Sequence, residues 1–303
     1  MSSLAQRIRR RIGYHTSLGF TNLLFSLKTR ALGHRLRMVA AHREAFVGRG
    51  LEIGGASRIF SAGGAIPVYE IAHGIDNVTF SDRTRWEGRV EAGDTFVFDV
   101  GKPPGRQYIA EATDLAAIPD ETYDFVISSH MLEHSANPIA VLNEWKRVVR
   151  TSGALMLVLP HRDGSFDRFR PVTPLSHLIE DERRRTDESD TTHLGEILQL
   201  HDFPRDPTAY SGPEFRAMIE ENAKNRGAHH HVFDALSVAR LLDYAGWEIV
   251  EMELMRPFNI CALARKTAAA AVPHNEAFLR GDAEYLRASP FPTDRAQFRR
   301  AGR

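Results

Sequence analysis

The stretch from Tyr123 to Leu159 limits the fold more than any other part of the sequence. Tyr123-Asp-Phe-Val-Ile-Ser-Ser129 reads as a strand. Asn137-Pro138 supply an N-cap and a proline at the first helical position. Leu142, Trp145 and Val149 then fall three and four apart, a helical stripe that makes Trp145 a core residue. Gly153 is expected to end that helix as its C-cap, and Ala154-Leu-Met-Leu-Val-Leu159 begins a strand at once.

The same alternation runs through the rest of the chain. Leu51-Glu-Ile-Gly-Gly-Ala-Ser57 is a short apolar strand running into small residues, and Asn77–Asp82 and Gln107–Ala112 are further strands. Asp234 caps a helix through Val238, Leu241, Leu242 and Ala245 that Gly246 closes. Trp247–Met255 and Asn259–Ala264 follow as strands close enough to pair antiparallel across Arg256-Pro257. Strands alternating with helices imply an α/β fold, a mainly parallel sheet with helices on both faces. A closing hairpin adds one antiparallel edge element. Residues 161–232 are polar, rich in histidine and weakly periodic, and read as an insertion.

The six-residue apolar run 154–159 is far short of the roughly 20 residues that a membrane-spanning helix needs. The single cysteine, Cys261, excludes an intramolecular disulfide and cysteine-cluster metal sites, and a cytoplasmic location is expected. Formal charge sums to zero, but unevenly: residues 1–50 hold ten basic side chains and one acid, whereas residues 51–266 hold 34 acidic against 23 basic. A cationic arm therefore precedes an acidic body.

Taken in order, Leu51–Ser57, Ile109-Ala-Glu-Ala-Thr-Asp-Leu115, Tyr123–His134, Asn137-Pro138 and Arg147-Val-Val-Arg-Thr-Ser-Gly153 resemble the class I S-adenosylmethionine-dependent methyltransferases. The resemblance covers about residues 48–160 and 233–266. It implies a Rossmann-like sheet of seven strands with an antiparallel last strand. The domains expected are a basic amphipathic helical arm over 1–47, a methyltransferase domain over 48–266 carrying the insertion 161–232, and a C-terminal tail over 267–303. Residues 31–46 are expected to pack on the sheet and cover the cofactor.

The resemblance also implies a cofactor site for S-adenosyl-L-methionine. Glu52 matches the acid ending the first strand and Gly54 the family's first glycine, with Gly55 and Ala56 continuing the turn. Small residues there let the backbone approach a ligand without a Cβ clash. Asp82, with Glu70 as its rival, is expected to hold the ribose hydroxyls, as acids after the second strand do in dinucleotide folds. Glu111 and Ala112 match the pair that meets adenine, and Asp114 and Leu115 would extend that wall. Ser129 and His130 would line the methionine end, while His134 is read as structural.

Methyl transfer to a hydroxyl needs an aligned nucleophile and a proton acceptor. His161 and Asp163, just past the fifth strand, are the expected base and orienting acid. His177, His193, His201 and the run His229-His230-His231 follow no fixed ligand spacing, and no metal is expected. The expected acceptor is a small molecule or glycan-type hydroxyl. Two rivals stand beside this reading: an NAD(P)-linked oxidoreductase, disfavoured because Ala56 and Arg58 break a G-x-G-x-x-G, and a non-catalytic scaffold recruited by its arm. Residues 1–25 could contact an anionic membrane surface. Nucleic acid is disfavoured because no interleaved aromatic and basic platform recurs in the acidic body.

Overall fold

A computed structural model describes residues 36–206, 211–269 and 271–302. Among the described residues ten strands occur in chain order: β1 (Arg49–Ile53), β2 (Gly74–Thr79), β3 (Arg83–Thr84), β4 (Gly88–Arg89), β5 (Gly93–Phe96), β6 (Gly105–Ile109), β7 (Tyr123–Ser129), β8 (Val149–Pro160), β9 (Trp247–Met255) and β10 (Asn259–Lys266). Eight of them form one sheet in the order β5-β6-β2-β1-β7-β8-β10-β9, and β3 and β4 pair as a separate hairpin. β6, β2, β1, β7 and β8 run parallel. β10 is antiparallel to both β8 and β9, and β5 is antiparallel to β6. The antiparallel strand of the closing hairpin therefore sits inside the sheet, with β9 at the edge, and β5 adds an eighth strand beyond the expected seven.

β8 explains why the sheet needs cover on both sides. Leu155, Leu157 and Leu159 join one core with Trp145 and Leu142 of the helix α1 (Pro138–Val148) and with Val238, Leu241 and Leu242 of α2 (Ala235–Tyr244). Met156 and Val158 alternate onto the other face, against Met38, Phe46, Phe60 and Phe125. Each strand residue points opposite to its neighbour, so one buried strand serves two cores.

Asn137 caps α1 as expected, its Oδ1 accepting from Ala140 N at 3.1 Å. The helix ends at Val148 and β8 starts at Val149, so Gly153 lies within the strand. A Cβ there would come 2.6 Å from the carbonyl oxygen of Asp124, so close strand approach, not helix capping, requires this glycine. β2 and β6 also stop short of the expected ends, leaving Asp82 and Glu111 in loops.

Residues 37–41 form a helical turn whose Met38 N–H donates to Glu253 Oε1 at 2.5 Å, with Met38, Val39 and Phe46 buried. Residues 36–46 pack on the sheet as expected but line no part of the cavity described below, and residues 31–35 lie outside the described residues. Residues 1–25, expected to meet a surface or partner, lie outside the described residues. No helix among the described residues is long and apolar enough to cross a membrane.

The insertion is more ordered than its composition suggests. It holds helices over Leu175–Arg184, Leu194–Leu200, Gly212–Glu220 and Asn222–Asn225. The residues after 266 are not a loose tail either: helices over Glu276–Leu279, Glu284–Arg287 and Pro292–Ala301 bury Leu286, Phe291 and Asp294.

Candidate active site

A cavity of about 1780 Å³ opens at the carboxyl ends of β1, β2, β6, β7 and β8, where the strand order reverses. Parallel α/β sheets bind ligands at that switch point. Ile53, Gly54, Thr79, Glu111, Ser129 and Pro160 line the strand side. The insertion supplies the opposing wall through Phe166, Asp167, Ile197, Phe215, Met218 and His229.

The turn after β1 is held from behind. Glu52 is buried and accepts from the Tyr69 hydroxyl at 2.6 Å and from Ser57 N at 2.9 Å. Burial pushes its carboxyl up to about 7, against the pull of those two donors. Gly55 packs so closely on Glu52 that a Cβ would lie 2.0 Å from the carboxyl carbon, and Asn77 bonds both its N–H and its C=O at 3.2 Å. Gly54 and Ala56 face the cavity, with Gly54 at φ +77°. Glu52 and Gly55 thus shape the turn from its back, and the glycine and alanine present it.

Along the adjoining strands the expected residues divide. Glu111, Ala112, Ser129 and His130 line the cavity. Glu111 Oε1 accepts from Arg226 Nη2 at 2.6 Å, which ties the insertion to the end of β6. Asp114 instead accepts from Ala116 N at 3.2 Å in an exposed turn, and Leu115 is buried in the core. Asp82 is exposed at the base of the β3–β4 hairpin and Glu70 is exposed on a short helix; neither reaches the cavity. The carboxylate that does line it after β2 is Glu87, bonded to the Thr84 hydroxyl, and desolvation raises it to about 7. A hairpin inserted after the strand moves the acid beyond the spacing that sequence reading follows.

The pair expected to do acid–base chemistry is committed elsewhere. His161 is fully buried, stacked on Phe291 at 4.0 Å between ring centroids. Its Nδ1 accepts from Asp163 N at 3.1 Å, so Nε2 carries the proton and donates to Asp294 Oδ1 at 3.1 Å. The Asp163 carboxylate accepts from Thr293 N and Oγ1, both at 2.7 Å, and holds the start of the C-terminal helix. These two residues fasten the end of the chain onto the end of β8; Asp163 reaches the cavity wall with its carboxylate already taken by Thr293, and His161 does not line the cavity.

A different dyad does. Asp167 Oδ2 lies 2.6 Å from His229 Nδ1, and Arg170 Nη1 donates to Asp167 Oδ1 at 2.9 Å. The charges of His229 and Arg170 outweigh burial and hold Asp167 down to about 2. Burial alone would lower His229, but Asp167 and then Glu133 raise it. With Nδ1–H given to Asp167, His229 Nε2 points toward Glu133 Oε1, 3.9 Å away. Glu133 is fully buried, with His130 Nδ1 at 3.5 Å and His134 Nε2 at 4.0 Å; burial would raise it, yet the imidazoles hold it below the usual carboxylate range. His134 donates through Nδ1 to the Ala228 carbonyl at 3.0 Å and, desolvated, falls to about 4. His134, structural by its sequence context, thus lines the cavity, and His229, legible in the sequence only as part of a histidine run, pairs with an Asp167 whose one visible signal is its place between Phe166 and Phe169, three residues before Arg170.

Among the described residues, two groups offer donor atoms within 4.8 Å of one another: Glu133, His134 and His229 at the cavity, and His177, His193 and His231 inside the insertion.

The sequence matches the family described as Methyltransferase domain over residues 24–252. The chain belongs to that family, the class I S-adenosylmethionine-dependent methyltransferases. This methyltransferase is similar in structure to a SAM-dependent methyltransferase from Aquifex aeolicus, at 13% identity and TM-score 0.38, covering 72% of this chain and 81% of that one. A second, from Methanosarcina mazei, aligns at 13% identity and TM-score 0.39 over 72% of this chain and 92% of the other. The CalH methyltransferase in complex with SAH aligns at 14% identity and TM-score 0.40, over 74% and 53%. No curated protein matches the sequence. Membership makes the protein an enzyme with S-adenosyl-L-methionine as cofactor, which sets aside the oxidoreductase and scaffold alternatives. The turn of small residues at Gly54–Ala56, opening on a cavity at the sheet's switch point, fits that cofactor.

Proposed function

We propose that this methyltransferase acts on a hydroxyl of a small molecule or of a sugar-like ring, and that His229 takes the proton released. The observation that carries the reading is the Asp167–His229 dyad opening into the same cavity as the turn after β1. When bound, the cofactor supplies an electrophilic methyl carbon on a sulfonium. Gly54, Ala56, Glu87, Glu111, Ala112, Ser129 and His130 are the residues proposed to hold it, on their position in the cavity wall. With the cofactor bound, its methyl carbon would go to the acceptor oxygen and its sulfur would keep the electron pair of the C–S bond, while His229 Nε2 takes the proton that the oxygen gives up. Asp167 and Glu133 flank the resulting imidazolium and offset its burial. Phe166, Phe215, Ile197 and Phe258 give that end of the cavity apolar faces for a ring, and exclude water from the transfer.

A screen of hydroxyl-bearing metabolites and free sugars with methyl-labelled cofactor tests this, with mass spectrometry locating the label. Label on oxygen of a small acceptor supports the proposal; label on nitrogen, carbon or a macromolecule overturns it.

A further inference from the structure

We propose that the insertion binds one zinc-like divalent cation through His177, Asp181, His193 and His231, as a structural site separate from the catalytic cavity. Three segments meet there. His177 and Asp181 stand one turn apart on the helix Leu175–Arg184, so they share a face. His193 is the residue before the helix Leu194–Leu200, and His231 lies three residues before the Asp234 cap of α2.

Three of the separations between donor atoms fall near those a shared cation sets, and His231 Nε2 would exchange its present contact with the Ala136 carbonyl oxygen, at 3.4 Å, for the metal. His177 Nε2 is 3.0 Å from His193 Nε2 and 3.4 Å from Asp181 Oδ2, and His231 Nε2 is 3.7 Å from Asp181 Oδ2. Zinc bonds of ~2.0–2.1 Å in a tetrahedron place ligand atoms roughly 3.4 Å apart, inside that range. All three imidazoles offer ligand atoms within 4.8 Å of one another. Thr186 Oγ1 donates to Asp181 Oδ1 at 3.2 Å, which orients the carboxylate and leaves Oδ2 buried with no hydrogen bond. Such an outer partner on a ligating carboxylate is the usual companion of a metal site. Three imidazoles and one carboxylate suit zinc and its neighbours better than calcium or magnesium, which favour oxygen.

The second donor group, Glu133 with His134 and His229, is the weaker candidate. His229 is already engaged there by Asp167, at 2.6 Å, and His134 by the Ala228 carbonyl, at 3.0 Å. None of His177, Asp181, His193 and His231 lines the cavity. The cation would instead clamp the two ends of the insertion together, fixing the backbone two residues from His229.

The test uses the full chain purified without a histidine tag, loaded with zinc, desalted and assayed by mass spectrometry for metal. Cobalt loading reports geometry through the intense visible bands of a four-coordinate site. The expected result is about one zinc per chain, four-coordinate cobalt bands, and a melting temperature several degrees higher with metal. Binding should be lost in His193→Gln and in His177→Gln, and kept in Glu133→Gln. Retained binding of S-adenosylhomocysteine shows that each variant is folded. Wild-type protein that holds no stoichiometric metal overturns the proposal, as does metal that survives in both His193→Gln and His177→Gln or disappears only with Glu133→Gln.

Discussion

Asp167 and His229 are 62 residues apart in sequence, yet Oδ2 and Nδ1 lie 2.6 Å apart beneath the cavity. Arg170 fixes the carboxylate from the far side, donating also to the carbonyls of His229 at 2.8 Å and His230 at 3.1 Å. The arrangement leaves one imidazole nitrogen for the reacting oxygen, and it fixes which one. His229→Gln should therefore lower kcat by ~10²–10⁴, the usual contribution of a positioned base. Unchanged kcat, measured with any acceptor found by the screen, would remove His229 from the mechanism.

The pH profile follows from the same charges. Burial lowers the His229 pKa, but Asp167 first and Glu133 second raise it above its ordinary 6.5. The base works unprotonated, so kcat/KM should rise with pH along a limb centred above 6.5. Asp167→Asn removes the largest charge raising that value, and the limb should move to lower pH. A limb that stays in place in Asp167→Asn means that another group titrates.

Glu52 gives a stability prediction of opposite sense to most carboxylates. Burial raises it to about 7 from an ordinary 4.5, so the folded protein keeps a proton that the unfolded chain releases. The favourable contribution is complete below pH 4.5 and is lost as pH rises through about 7. At most about 3 kcal/mol is involved, from the size of that shift. Denaturant melts of the cofactor-free protein from about pH 5 to about pH 8 should show this loss, and Glu52→Gln should flatten it. Equal slopes in the two proteins would mean that Glu52 is not the group responsible.

Gly54 tests the cofactor turn. Its φ of +77° lies in the left-handed region, and a Cβ would sit 3.1 Å from Met131 Cγ. Gly54→Ala should cost roughly 1–2 kcal/mol from the backbone alone, and weaken S-adenosylhomocysteine binding by calorimetry. Full affinity in a stable Gly54→Ala protein would place the cofactor elsewhere in the cavity.

What the sequence made legible was local. The strands Tyr123–Ser129 and Trp247–Met255 and the caps Asn137 and Asp234 depend on neighbours within a few residues, and they stand where their patterns put them. Gly153 shows the limit of such reading, because a glycine after a helix and a glycine pressed against a neighbouring strand have the same letter. The site depended on pairs with no spacing rule: Asp167 with His229, Glu111 with Arg226, and His161 with Asp294. His161 drew attention because it follows a strand end, yet its partner comes from a C-terminal helix that the low hydrophobicity of the region concealed. Asp82 failed for a related reason: the β3–β4 hairpin carries Glu87 back over the cavity, which no count of residues from the first glycine anticipates.

The His161–Asp294 pair predicts a variant that damages the fold and spares the chemistry. Asp294 is fully buried and accepts from His161 Nε2 at 3.1 Å, Ser289 Oγ at 2.6 Å and Ala235 N at 3.4 Å. Asp294→Ala strands three donors away from water, at about 1–3 kcal/mol for each left unsatisfied, so the melting temperature should drop by many degrees. The pH limb of kcat/KM should nevertheless stay where it is in the wild type, because His161 faces away from the cavity. His161 serving as the base would give the reverse pattern, a displaced limb accompanying the loss of its orienting carboxylate. Measuring both quantities on Asp294→Ala and His229→Gln separates the histidine that holds the C-terminal helices from the one that takes the proton.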